Sequence, residues 1–318
     1  MNRWRIAGKW VAVIFFGIIV LLSGIYLVAR VEKRDLDQAA RSEAGGEFVE
    51  LDQGIVHYYL EGPVDAPVVL LIHGFSVPSY VWEPTTSFLN GQGYRTLRFD
   101  LYGRGFSDRP DLVYDLPFFC DQVSGLVTEL GLDQPIIVVG LSMGGPVAAR
   151  FAQQNPDLAA GVILISPLVT PPTNGDVLPL NIPLVGEYVM AAIMEPFVLP
   201  GLQLEDFIRP ENFPQWTEMY REQLQFKGTG RALLSTIRQL VKMDSEAEYQ
   251  LLNESGIPVL LLWGNADQSV DAVQIETLQQ ILPGMDARIF PGAGHLLHYE
   301  IPDKVNPIIA EFLDFIIN

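Results

Sequence analysis

One cysteine in 318 residues is the first scarcity. Cys120 alone cannot form an internal disulfide, and no Cys/His spacing resembles a zinc site, so neither a staple, a structural metal nor a cofactor is expected. Basic residues are also few, 20 Lys and Arg against 38 Asp and Glu, for a net charge of −18. A surface that tracks phosphates needs clustered cations, so this balance argues against nucleic acid as a partner; the excess acid serves solubility. Charged residues of either sign make up only 18%, while 49% are hydrophobic. That excludes disorder for most of the chain and leaves ample material for one large core. The 28 glycines and 23 prolines fall in no repeat or low-complexity tract and punctuate many short elements. Histidine is scarce too, so any imidazole base must be one of His57, His73, His295 and His298.

Against the general shortage of long apolar runs, residues 10–29 stand out: from Trp10 to Ala29 there is no charge, with Lys9 before and Arg30, Lys33 and Arg34 after. About 20 apolar residues is the length of one membrane span. A cleaved signal peptide also begins basic and continues apolar, but its core is shorter, about 7 to 15 residues, so length favours an uncleaved single-pass anchor. Arg3, Arg5 and Lys9 face Arg30, Lys33, Arg34 and Arg41 across the run. That count gives the positive-inside rule no asymmetry to act on; a short tail inside, with an extracytoplasmic globular part, is the weak preference. Residues 30–46, mixed in charge and ending Ala44-Gly45-Gly46, read as a tether, making 1–46 anchor plus tether and 47–318 the globular domain.

In that domain, Phe48–Leu51 and Ile55–Leu60 flank Asp52-Gln53-Gly54 as a hairpin would. Short strands are expected at 68–72, 96–99, 136–139, 162–165, 259–263 and 287–290, several of them apolar throughout as strands covered on both faces must be. Helical patterns at 118–130, 146–154, 272–281 and 304–317 alternate with them, which implies a mainly parallel sheet wrapped by helices. About 90 residues separate the strand ending at Ile165 from the next, too many for an ordinary connection. A helical insertion over the sheet edge, about 168–250, is expected there. Its Met190, Met194 and Trp216, together with Trp82, are candidates to line an apolar substrate site; they serve equally well as the insertion's own core.

The strand Ile136–Val139 runs into Gly140-Leu141-Ser142-Met143-Gly144-Gly145, and a helical pattern follows. In that context the glycines allow a sharp, strained turn that presents a serine hydroxyl at a helix N-terminus. Serine needs a base, and imidazole titrates near neutrality. His295, in Gly292-Ala293-Gly294-His295 after the last strand, can reach a site; His298 falls where a helical turn starts, His57 lies in the early hairpin and His73 just after an early strand. The acid that orients the imidazole is expected at Asp267, in the loop after Val259–Trp263; Asp271 reads as a helix cap. Oxyanion donors are expected from the backbone N–H groups of Phe75, in Ile72-His73-Gly74-Phe75, and of Met143. His73 would brace that loop, and Cys120 reads as a core thiol.

His73-Gly74-Phe75, Asp100-Leu101-Tyr102-Gly103-Arg104-Gly105-Phe106-Ser107-Asp108, the elbow at Gly140, Gly264-Asn265-Ala266-Asp267 and Gly294-His295 together resemble the successive landmarks of the α/β-hydrolase superfamily. The resemblance spans residues 48–318. It implies a mostly parallel eight-stranded sheet with a helical cap, the chain order Ser142, Asp267, His295, and a structural Asp100. Glu300 and Pro302 resemble the capped esterase, monoacylglycerol-lipase and carbon–carbon hydrolase branches. Dehalogenase and epoxide-hydrolase relatives carry Asp at the elbow, so Ser142 speaks against those chemistries. The expected activity is hydrolysis of carboxylic esters of moderately apolar small molecules or lipids; carbon–carbon bond or amide hydrolysis, or silent binding of a lipid or signal molecule, are the alternatives. A fold alone selects none of them.

Overall fold

The computed structural model describes Trp10, Phe16, Gly17, Ser23, Gly24, Tyr26 and residues 33–317. Most of the apolar run at 10–29 therefore lies outside the described residues, as do Arg3, Arg5, Lys9 and Arg30.

Eight strands form one sheet: β1 (Glu47–Leu51), β2 (Gly54–Glu61), β3 (Val68–Ile72), β4 (Arg95–Phe99), β5 (Ile136–Leu141), β6 (Ala159–Ile165), β7 (Val259–Gly264) and β8 (Asp286–Phe290). They lie in the order β1-β2-β4-β3-β5-β6-β7-β8. The hairpin β1–β2 is antiparallel to its neighbours and the other six strands are parallel. Strands β3, β5 and β7 are buried along their whole length, whereas the edge strands β1 and β8 alternate or are largely exposed. Central strands must be apolar on both faces because both are covered. Leu70, Val138, Leu164 and Leu261 face the helices Leu116–Glu129 and Gly144–Gln154; Val69, Ile137, Ile163 and Leu260 face the other layer, with Leu89, Ile309 and Leu313.

The chain moves from β3 to β4 on one side and then to β5 on the other, so the sheet order reverses beside β3. A crevice opens beyond the carboxyl ends of the strands at such a reversal. Ile72 pairs with Gly140, and Leu141 with Ile165. The loops after β3, β5 and β6 therefore leave the sheet at one level.

Between β6 and β7 the chain forms helices Val185–Val189, Leu199–Leu202, Trp216–Leu224, Thr229–Leu240 and Ser245–Ser255, with a π-helical stretch at Met190–Val198. The inserted segment is thus helical, but the bound of about 250 falls inside the helix Ser245–Ser255. Glu248 pairs with Arg150 at 2.9 Å, and the Tyr249 hydroxyl donates to the carbonyl of Leu168 at 3.0 Å, so Ser245–Ser255 joins the helical layer of the sheet. An amphipathic pattern looks the same whichever layer it joins, so sequence could not place this boundary.

Residues 33–46 are not a loose tether. Arg34 bridges to Phe226 of the cap: its N–H donates to Gln225 at 2.9 Å and its carbonyl accepts from Lys227 at 3.0 Å. Lys33 pairs with Glu195, and Arg41 with Asp108. Asp37 caps the short helix Gln38–Arg41, and Ala40 is fully buried. Mixed charge reads as solvated linker in sequence; here Lys33, Asp35 and Arg41 meet partners that only the fold supplies.

The elbow leaves no room for side chains. A Cβ on Gly140 would lie 2.3 Å from the carbonyl oxygen of Gly144, and one on Gly144 would lie 2.4 Å from that of Ile72. Gly140→Ala should therefore destabilise the chain by about 3 kcal/mol or more. Gly91→Ala, where a Cβ meets nothing within 4 Å in a helical turn, should stabilise it by about 0.5–1 kcal/mol. Calorimetric unfolding of the two variants against wild type checks both signs.

Candidate active site

Ser142 sits between β5 and the helix Gly144–Gln154 with φ +53°, a left-handed backbone that non-glycine residues rarely adopt. Three hydrogen bonds hold the turn: Ser142 N–H donates to Ile165 at 3.0 Å, and its carbonyl accepts from Gly145 at 2.9 Å and Leu168 at 3.0 Å. The strain is compensated by this bonding and by the packing at Gly140 and Gly144. The hydroxyl stands at the head of the helix, where the partial positive charge of the N-terminus favours developing negative charge.

Gly74 packs directly on the serine: a Cβ there would come within 3.1 Å of Ser142 Cβ and 3.6 Å of its Oγ. The loop that carries Phe75 thus passes over the hydroxyl. His73 secures it, because Nδ1–H donates to the Gly74 carbonyl at 2.8 Å while Nε2 accepts from the Leu101 N–H at 2.9 Å. Burial lowers this imidazole to about 4, so it stays neutral and keeps that tautomer. Arg104 adds a second tie, donating from Nε to the Phe75 carbonyl at 2.8 Å.

Asp267 and His295 come from the loops after β7 and β8. One oxygen of Asp267 accepts from His295 Nδ1 at 2.8 Å; the other accepts from the N–H groups of Ser269 at 2.8 Å and Val270 at 2.9 Å. With Nδ1–H committed to the carboxylate, Nε2 is the nitrogen left to take a proton. Burial acts to raise Asp267 and to lower His295, but their mutual attraction outweighs it: the carboxyl sits below and the imidazole above its ordinary value. Ser142, His295, Phe75 and Met143 line one cavity of about 940 Å³, which extends under the cap to Leu168, Leu202 and Leu240.

Four candidates lie elsewhere. Trp82 is fully buried with its ring 4.6 Å from that of His298, and Trp216 is fully buried against Tyr80, Phe207 and Tyr299. Met194 packs on the same core, and Met190 faces a separate cavity with Tyr26, Lys33 and Arg238. None of the four lines the cavity of Ser142. Large apolar side chains mark burial in a sequence, and these are spent on seating the cap. His298 is buried and lowered to about 3, hence neutral. His57 Nδ1–H donates to Asp100 Oδ2 at 2.7 Å; Asp100 also accepts from the N–H groups of Ser79 and Phe106, both at 2.9 Å, as a structural knot far from Ser142 in role. Cys120 is buried, and burial pushes its thiol up. Among the described residues no group of three or more His, Cys, Asp and Glu is placed to hold a metal ion.

The residue that sequence reasoning missed is Asp206. It belongs to the cap and carries no motif, yet its carbonyl accepts from the N–H groups of His295 at 3.1 Å and Leu296 at 3.3 Å, and its Oδ1 accepts from the Ser269 hydroxyl at 2.6 Å. Beside it, Glu300 accepts from the N–H groups of Ile208 at 3.1 Å and Arg209 at 2.8 Å. One turn of the cap therefore bridges the loops of Asp267 and His295. Burial raises the Asp206 carboxyl, and the charge of His295 opposes that; reciprocally, Asp206 helps raise His295.

A model of the alpha/beta hydrolase family matches residues 69–308. Epoxide hydrolase 3 of Xenopus tropicalis is 28% identical over 294 residues, 84% of this chain and 77% of the relative. Human monoglyceride lipase is 28% identical over 261 residues, 78% of this chain and 82% of the relative. Among solved structures, a membrane phospholipase A described as a bacterial virulence factor superimposes with a TM-score of 0.71 at 22% identity over the full length of both chains, a likeness of fold.

Because its imidazole is raised, His295 should titrate with a midpoint above the ordinary value of about 6.5. Asp206→Asn keeps an oxygen for Ser269 but removes a negative charge, so it should lower that midpoint. NMR titration of the histidine ring in wild type and variant reads both; an unmoved midpoint refutes the coupling.

Proposed function

Given that the chain belongs to the alpha/beta hydrolase family, we propose that it is a serine hydrolase cleaving carboxylic esters of uncharged, moderately apolar substrates, and that residues 10–29 anchor it in a membrane. The observation that carries the hydrolytic reading is the serine elbow opening into the same cavity as a histidine held by a buried carboxylate.

In this reading Ser142 Oγ attacks the ester carbonyl carbon while His295 Nε2 takes its proton. The oxyanion is held by the N–H groups of Phe75 and Met143, on either side of the serine, and by the helix N-terminus behind it. Asp267 stabilises the imidazolium. Collapse of the tetrahedral intermediate breaks the bond to the alcohol oxygen, which leaves with the proton from His295. Water, deprotonated by the same nitrogen, then releases the acid from the acyl-enzyme. An elbow serine does not suit the aspartyl-ester chemistry of epoxide opening, so the 28% likeness to an epoxide hydrolase carries no substrate across.

The lining of the cavity narrows the substrate. Asp176, Glu205, Asp206 and Asp271 face it, with no Lys or Arg, while Val77, Leu168, Leu202 and Leu240 supply apolar wall. In a partly dehydrated cavity a carboxylate on the substrate meets repulsion and no counter-ion. The wall suits an acyl chain and the acids tolerate a neutral or cationic alcohol.

Three measurements on the purified chain test this. Ser142→Ala should abolish labelling by a fluorophosphonate and lower ester hydrolysis by about 10³-fold or more. Across a panel of esters, amides and carbon–carbon substrates, neutral esters should be turned over fastest, and esters bearing a carboxylate about tenfold more slowly than neutral isosteres. Turnover of amides alone, or none at all with intact labelling, would sink the ester assignment. Recovery of the full-length chain wholly in the soluble fraction would sink the anchor.

A further inference from the structure

Between Asp176 and Glu205 the only charged residues are Glu187 and Glu195. Both are paired, Glu187 with Arg238 at 2.7 Å and the buried Glu195 with Lys33. The rest of that stretch leaves large apolar side chains in the open: Leu178, Ile182, Leu184, Ile193, Phe197 and Leu202. Leu184 is 84% exposed and Phe197 76%. A surface of this kind on a chain of net charge −18 is a local exception, and contiguous exposed apolar faces mark an interaction. Leu184 sharpens the point, because it holds a positive φ of +67° while its side chain buries almost nothing within the protein. Within the described residues, Val185–Leu202 also has the length and apolarity of a membrane-crossing helix, yet it is interrupted by Pro196 and Pro200 and only a third of it is buried. That composition suits a segment lying along an interface.

The chain itself indicates what it lies against. The apolar run at 10–29 leads into Lys33 and Arg34, which are fastened to the cap at Glu195, Gln225 and Lys227. Tyr26, near the end of that run, stacks on Tyr188 of the cap at 6.2 Å. A bilayer entered by this run is therefore close in sequence to residues held on the cap at both Tyr26 and Lys33. Leu202 belongs both to the exposed face and to the wall of the Ser142 cavity.

We propose that the exposed apolar face of the cap, Leu178 to Leu202, beds in the surface of the bilayer that the N-terminal run enters, so that the cavity of Ser142 opens beside Leu202 toward lipid. The proposal rests on the reading of residues 10–29 as an anchor, and it deepens that of an esterase by making its substrate one dissolved in a membrane. Bedding contributes apolar burial at Leu184 and Phe197 and excludes water from the mouth.

The test uses full-length chain reconstituted in phosphatidylcholine vesicles. Cys120 is buried, so a polarity-sensitive fluorophore can be placed selectively at Phe197→Cys and, as a control on the opposite end of the sheet, at Val64→Cys. Brominated lipid should quench the label at 197 and leave that at 64 unchanged. In addition, Leu184→Glu/Phe197→Glu should lower hydrolysis of a vesicle-borne ester by about tenfold or more while turnover of a water-soluble short ester stays at wild-type level. A label at 197 that stays unquenched in reconstituted protein overturns the proposal. So does quenching only by a second labelled copy, which would make the face a dimer contact, and so does equal loss on both esters. Absence of hydrolysis of either ester by wild type would refute the esterase reading while the quenching result still decides the docking.

Discussion

The site depends on a close approach of three backbones at the carboxyl end of β5. Gly140 lies against Gly144 and Gly144 against the end of β3, at separations that admit no Cβ. That contact seats the elbow so tightly that Ser142 can hold a left-handed backbone and still have its N–H and carbonyl bonded. It also brings the loop of Gly74 onto the serine. Loosening it would displace the hydroxyl, the helix N-terminus behind it and the loop above it together, since interiors at native density transmit strain rather than absorb it.

The other half of the site comes from far along the chain, and the cap joins it together. The loops of Asp267 and His295 leave neighbouring strands, but Asp206 binds both, one through its side chain to Ser269 and the other through its carbonyl. Glu300 fastens Ile208 and Arg209 of the cap. The insertion is therefore part of the frame that orients the imidazole. The same cap is gripped on its far side by residues 33–35.

Electrostatics divide the four histidines by environment. His73 and His298 are buried without an adjacent carboxylate in hydrogen-bonding contact and are held neutral. His57 and His295 each face a buried Asp, and attraction overcomes the cost of burial. Of these two, only His295 borders the cavity lined by Ser142. Asp206, in the acidic lining beside it, makes the charged imidazole easier to form there.

Local pattern made much of this legible. Apolar runs with no polar face announced β3, β5 and β7, turn residues announced the β1–β2 hairpin, and glycines flanking Ser142 announced an elbow, because backbone geometry and burial on both faces act over a few residues. Spacing also singled out Asp267 and His295, which the fold then placed 2.8 Å apart. What the sequence could not carry were pairings between distant segments: Asp206 beside the histidine loop, the strap at 33–46, the end of the cap at Asp244, and the burial of Trp82 and Trp216 in cores where a lining was expected. By itself the sequence determined the elements and the chemistry they carry, since periodicity and turn geometry are local. Tertiary structure decided which apolar side chains are core and which are left on the surface, because a side chain's surroundings are set by segments a hundred residues away.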